Sequence, residues 1–116
     1  MKEKPLLPTL RERKRYLVYE VISDSDFDAY DISESIKSSM QDLVGWKGMA
    51  EAGLIFVNKK FSKTAQKGII RVAHDSLDTL RASFTFIKDI KGRPAIVRSV
   101  IASGMIDKAE TEISAS

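Results

Sequence analysis

Two stretches of helical periodicity, each set between runs that alternate like strands, constrain this chain more than any other feature. The first run, Tyr16-Leu17-Val18-Tyr19-Glu20-Val21-Ile22, is rich in β-branched and aromatic residues and stops at a Ser/Asp cluster. Both of its alternate sets are largely apolar: Tyr16, Val18, Glu20 and Ile22 on one side, Leu17, Tyr19 and Val21 on the other. A strand of that kind belongs in the middle of a sheet. Asp31 then caps a helix, with Glu34 completing a capping-box-like pair, and Ile32, Ile36, Met40, Leu43 and Val44 form its apolar stripe. Gly45 and Gly48 end it around Trp46, a residue expected to cover the core edge, with base stacking as the alternative.

Leu54 to Phe61 and Gly68 to His74 read as a hairpin. Asp75 caps a second helix running to Ile90, whose stripe is Leu77, Leu80, Phe84 and Ile87. Lys91-Gly92-Arg93-Pro94 turns the chain into a last strand, Ala95 to Ile106. The order β-α-β-β-α-β predicts an α+β, ferredoxin-like (RRM-like) sandwich: an antiparallel four-stranded sheet, strands one and three central, with two helices on one face. Residues 1–14 are expected to be an extended basic arm, 15–108 the domain, and 109–116 a frayed tail.

That arrangement leaves a problem. Strands one, two and four carry apolar residues in both alternate sets, yet both helices lie on one side. An uncovered second face would be a larger apolar patch than monomers usually tolerate. Its cover is expected to come from a terminal segment, a protein partner, or both.

Composition narrows the chemistry. A chain of 116 residues makes one domain with a core of its own. It has no cysteine, so disulfides, thiolate metal sites and a thiol nucleophile are excluded, and it has one histidine, His74. No stretch suggests a signal peptide or a membrane span, so a cytoplasmic protein is expected. The net charge is only +3, but it is segregated. Met1 to Arg15 holds six bases and two acids, whereas Glu20 to Glu34 holds acids and no base. One positive face that concentrates a polyanion is one reading, and a solvated basic tail is the other.

Within this pattern Arg11, Arg13, Lys14 and Arg15 are candidates for a flexible clamp on a polyanion, and Arg71, Lys91, Arg93 and Arg98 for ordered phosphate contacts. Arginine suits the ordered positions because its planar fork grips a phosphate with two bonds. Lys59, Lys60, Lys63 and Lys67 crowd the hairpin tip and are secondary candidates, the alternative being protection of a sheet edge by charge. Arg71 has a competing assignment as a salt bridge within the sheet or to the acidic segment.

Other chemistries fit less well. Asp24-Ser25-Asp26-Phe27-Asp28 begins like a calcium loop, but Ala29 replaces the turn glycine and Ser35 the bidentate glutamate. His74-Asp75 can be drawn as an acid/base pair, but an aspartate capping a helix beside a strand-end histidine is commonplace. Lys67-Gly68 is followed by Ile69, so the base-stacking aromatic of an RNA-recognition motif is missing there, which disfavours sequence-reading of single strands.

Several segments together resemble archaeal ribonuclease P protein component 2. They are Pro8 to Tyr16 (PTLRERKRY), Gly68-Ile69-Ile70-Arg71-Val72, Phe84-Thr85-Phe86-Ile87, Lys91-Gly92-Arg93-Pro94 and Arg98 to Ile106 (RSVIASGMI). The resemblance implies a non-catalytic subunit of a ribonucleoprotein enzyme that removes the 5′ leader of precursor tRNA. The RNA would carry the Mg²⁺-dependent hydrolysis, and the protein would bind no cofactor. Implied partners are the ribonuclease P RNA, protein component 3 and a second copy of the chain within their assembly, with precursor tRNA as substrate. A ferredoxin-like scaffold that pairs only with proteins is the alternative.

Overall fold

The apolar run at Tyr16 is the centre of the fold. A computed structural model describes residues 13–114 and places this run in β1 (Lys14–Ile22), flanked on one side by β3 (Lys67–Ala73) and on the other by β6 (Ile96–Ser103). With β2 (Ile55–Phe56) on the outer edge of β3, the four-stranded sheet has the order β2-β3-β1-β6. Every pairing is antiparallel. This is the ferredoxin-like order expected, with the first and third strands central.

α1 (Ala29–Ala52) and α2 (Leu77–Phe84) cover one face. Ile32, Ile36 and Met40 from α1 and Leu80 and Phe84 from α2 pack against Leu17, Tyr19, Val21, Ile70, Val72 and Val97 of the sheet. Each such large aliphatic side chain contributes about 1.5–3 kcal/mol when fully buried. The opposite residues of β1 and β3, Val18 and Ile69, form a second cluster with Ala109 of α3 (Ile106–Ser114). The second face is therefore covered from within the chain.

Residues 109–114 are thus helix where a frayed tail was expected. The polar composition of this segment hides a stripe, Ile106, Ala109 and Ile113, at spacings of three and four. The domain also begins earlier than expected. Lys14 already belongs to β1 and pairs with Ala73, while residues 1–12 lie outside those described.

Other boundaries shift for local reasons. α1 does not end at Gly45. That glycine interrupts it with φ +71°, after which the helix resumes, turns Met49 and Ala52 toward the core, and stops at Gly53. Gly53 adopts the left-handed conformation and its N–H closes on the Met49 carbonyl at 3.2 Å. The break resets the helical phase, and Trp46 emerges 80% exposed rather than over the core edge. Leu43 is exposed as well. The acceptor at the start of α1 is the Asp28 carbonyl, and Asp31 lies inside the first turn rather than at the cap.

β2 has only two residues, because Asn58, Lys59 and Lys60 have no face to bury and coil into a single 3₁₀ turn. α2 starts at Leu77 after a 3₁₀ turn over His74–Ser76 and stops at Phe84, short of Ile90. Thr85, Phe86 and Ile87 close it with tighter bonds to Ala82, Ser83 and Phe84. Ile87, in the loop after that turn, and Ile90, in an extended segment, are buried instead. That segment is a small ribbon of β4 (Asp89–Ile90) and β5 (Arg93–Pro94), whose two-residue turn Lys91-Gly92 has both φ values positive, 54° and 79°. Both values suit the type I′ turn that matches strand twist.

Candidate nucleic-acid interface

The register of β1 sorts the cations into two ends. At its start lie Arg13, Lys14 and Arg15, with Arg71 opposite Tyr16 on β3. At its finish lie Lys67 and Arg98, both opposite Glu20, and beyond them Lys63, Lys91 and Arg93. Eight residue steps at about 3.3 Å per residue separate Lys14 from Ile22, so the two groups stand roughly 26 Å apart. Of the four positions expected to make ordered phosphate contacts, Arg71 stands at the first end and Lys91, Arg93 and Arg98 at the second. Arg11 lies outside the described residues.

At the first end the backbone is fixed by the Arg13 carbonyl, which accepts the His74 N–H at 2.7 Å. Arg13 itself is exposed. Arg15 donates to the Lys14 carbonyl at 3.2 Å and runs beside Gly104. A Cβ on Gly104 would stand only 3.3 Å from the Arg15 Nη1, so the glycine leaves room for the guanidinium. Arg71 makes no ion pair among the described residues, so neither of the partners expected for it is present. Its Nε is closed off from solvent with no acceptor, an expensive state for a charged group.

At the second end the cations are interleaved with carboxylates. Arg98 donates through Nε and Nη2 to one oxygen of Glu20, both at 2.8 Å. Lys63 meets Asp28 at 2.9 Å, and Lys91 lies 3.8 Å from Asp31. The Lys63 ammonium is pushed to a higher pKa, first by its hydrogen bond to Asp28 and then by that carboxylate's charge. Arg93 lines the same recess of about 330 Å³ with Asp26, Asp28 and Asp31 and has no ion pair among the described residues. Among the remaining hairpin-tip lysines, Lys60 meets Glu110 at 3.3 Å and Lys67 approaches Glu112 at 4.0 Å, both on α3, while Lys59 is exposed. The Lys60–Glu110 pair is exposed and worth about 0–1 kcal/mol, so a phosphate can displace Glu110 at little cost, whereas the Lys67 side chain is only 12% exposed.

One residue absent from the sequence reading organises this end. Gln66 is buried at φ +54°. Its Oε1 accepts the Phe27 N–H at 2.9 Å, and its Nε2 donates to the carbonyls of Phe27, at 3.1 Å, and Lys63, at 2.9 Å. The side chain ties the acidic loop to the lysine-bearing turn. Nothing in its sequence context, Ala65-Gln66-Lys67, distinguishes it from a solvated loop glutamine.

The helical layer has a different surface. Tyr30, Leu43 and Phe86 are exposed around a groove of about 780 Å³, rimmed by Asp31, Glu34 and Asp42 on one side and Lys88 and Lys91 on the other. Among the described residues no helix is long and apolar enough to cross a membrane.

A family model described as the Rpp14/Pop5 family matches residues 15–114, nearly the whole described domain. The chain belongs to the Rpp14/Pop5 family. Relatives named Ribonuclease P protein component 2 are 36% identical over 110 residues in Pyrococcus furiosus and 34% identical over 110 residues in Thermococcus kodakarensis. In both cases the match covers 93% of this chain and 90% of the relative. A third, from Methanosarcina barkeri, is 34% identical over 91% of this chain and 76% of its own. One chain of the cryo-EM structure of yeast ribonuclease MRP superposes with a TM-score of 0.63 at 15% identity, covering 90% of this chain and 88% of that one. At that identity the likeness concerns the fold. For this Rpp14/Pop5 member it confirms the α+β sandwich.

Proposed function

We propose that this Rpp14/Pop5 protein is a non-catalytic subunit of ribonuclease P that binds the RNA subunit and holds it in the fold that removes the 5′ leader from precursor tRNA. A protein in that role must relieve phosphate repulsion so that RNA helices and Mg²⁺ come together, and clustered cations do this by displacing condensed counterions. The hydrolysis and its Mg²⁺ belong to the RNA, and the work is done in the cytoplasm.

The observation that carries the reading is Lys91. A lysine with φ +54° occupies a turn position where glycine or asparagine would relieve strain. Unlike Gln66, which three side-chain hydrogen bonds compensate, Lys91 has only a loose partner in Asp31 at 3.8 Å. A cation kept at a strained tip, beside an Arg93 with no ion pair among the described residues, fits a phosphate contact. Arg13, Arg15 and Arg71 supply the contacts at the other end. Protein partners, component 3 and a second copy of the chain, are assigned to the apolar helical side around Tyr30, Leu43 and Phe86, which carries exposed aromatic surface.

The test is reconstitution with ribonuclease P RNA and component 3. The double variant Arg71→Glu/Arg93→Glu is expected to raise the Mg²⁺ concentration needed for leader removal. It is also expected to lower the slope of log affinity against log salt by roughly 0.7–0.9 per lost phosphate contact. Unchanged Mg²⁺ dependence and slope would leave the protein-only scaffold as the better reading.

A further inference from the structure

The sheet face beneath α3 has the makings of a second binding surface. α3 has nine residues, shorter than a helix that persists alone in water. Ala109 is its one fully buried side chain, set against Val18 and Ile69, with Tyr16, Val57, Val100, Ile101 and Ile113 packed around them. Its charge is acidic, with Asp107, Glu110 and Glu112 against Lys108. Two of those carboxylates lie on sheet-side lysines: Glu110 on Lys60 at 3.3 Å and Glu112 near Lys67 at 4.0 Å. The Lys60 pair is exposed and holds the helix weakly, and the Lys67 contact, on a side chain only 12% exposed, is stretched to 4.0 Å.

The face under this cover is an apolar strip with cations on its borders. Tyr16 on the central strand stands directly across from Arg71, and Arg71 presents a buried Nε with no acceptor. Lys67 and Arg98 flank Glu20 further along the same face. An aromatic on a central strand between basic side chains is what a single-stranded nucleic acid needs: a platform for a base and partners for its backbone. The carboxylates of α3 occupy the places where phosphates would sit.

We infer that α3 is an exchangeable acidic cover, which single-stranded RNA displaces by putting phosphates on Lys60, Lys67 and Arg71 and a base on Tyr16. The inference rests on the RNA-binding reading and adds to it the surface and the strand state. Ile69 in place of an aromatic on β3 makes the platform tolerant of sequence rather than selective.

The test titrates a labelled oligouridylate into the full chain and into two variants that loosen α3 differently. Glu110→Gln/Glu112→Gln removes the two pairs, and Ala109→Leu wedges the helix off Val18 and Ile69 without changing charge. Each is expected to bind the single strand roughly tenfold more tightly, the factor by which a cover closed about nine-tenths of the time weakens apparent affinity. Tyr16→Leu in either background is expected to cancel most of the gain. Asp42→Asn/Asp78→Asn, an equal loss of negative charge elsewhere, is expected to give a much smaller one. If both loosened variants bind as the wild type does while Arg93→Glu still weakens binding, α3 is a fixed cover: the inference fails and the RNA-binding reading stands. If no form binds any RNA at low salt, both fail.

Discussion

Gln66→Ala is expected to be among the most damaging single changes outside the apolar core, and its cost can be worked from three hydrogen bonds and one dihedral angle. The side chain holds both the N–H and the carbonyl of Phe27 and the carbonyl of Lys63. At a net value of about 1 kcal/mol each, their loss costs about 3 kcal/mol. Alanine keeps the φ +54° that glutamine already bears, so the angle adds nothing to that difference. Glycine removes the same bonds but adopts that angle freely, so Gln66→Gly should be about 1 kcal/mol milder. Urea unfolding followed by circular dichroism, with a shared m value, measures both. A domain of this size is stabilised by about 5–15 kcal/mol in total, so the alanine variant should remain folded but melt roughly 10–20 °C lower. An alanine variant within about 1 kcal/mol of the wild type would refute the reasoning, as would a glycine variant no milder than it.

Three further outcomes are expected. Gly68→Ala places a methyl group on the Tyr19 phenol, and overpacking of this kind should cost about 1–3 kcal/mol by the same unfolding assay. The Tyr19 phenol is buried and its pKa is raised by desolvation, so folding is favoured below the ordinary value of 10.0 and loses ground as pH rises above it. Tyr19→Phe should flatten that alkaline loss in a pH series of melting temperatures. Lys91→Gly relieves a left-handed lysine, so stability should stay within about 1 kcal/mol of the wild type or rise, while affinity for ribonuclease P RNA in a filter-binding assay falls.

The parts of this fold legible in the sequence are those that local pattern determines. The two apolar sets of β1 announced a central strand, and the stripe Ile32, Ile36 and Met40 announced the helix above it. The sequence also posed the question of the second face correctly. It named a terminal segment among the possible covers without showing the helix, because the stripe of α3 has only Ile106, Ala109 and Ile113, and alanine carries little signal. Where tertiary packing overrides local rules, the reading failed. Gly45 looked like a terminus, but the burial of Met49 and Ala52 beyond it restores the helix. Ile87 and Ile90 looked like a helical continuation, but Ile87 enters the core from the loop after α2 and Ile90 from the small ribbon. The candidate site was legible as residue types and not as partners. That Arg98 is spoken for and Arg71 is not depends on cross-strand register, and a one-residue slip would reverse the face each side chain occupies.

Arg98 separates the two roles a surface arginine can have here. Its fork lies on a single Glu20 oxygen, with the arginine side chain 55% exposed and the glutamate 24% exposed. If the pair is structural, a cycle of Glu20→Gln, Arg98→Ala and the double variant should show a coupling of about 0.2–1 kcal/mol in unfolding, the range of exposed pairs, and no coupling in RNA affinity. If the pair instead holds the guanidinium in place until a phosphate replaces the carboxylate, the two couplings diverge. Glu20→Gln then loses a little stability but binds RNA about threefold more tightly, since a competing anion worth up to about 1 kcal/mol has gone. Arg98→Ala abolishes that gain, because no cation remains for the phosphate to reach. The second pattern is the expected one, since the exposed side of the guanidinium already faces solvent and the carboxylate is the cheaper of the two anions to release. Tighter binding by Glu20→Gln that persists in the double variant would mean that removing negative charge anywhere on this face is enough, and that Arg98 belongs to the sheet rather than to the RNA.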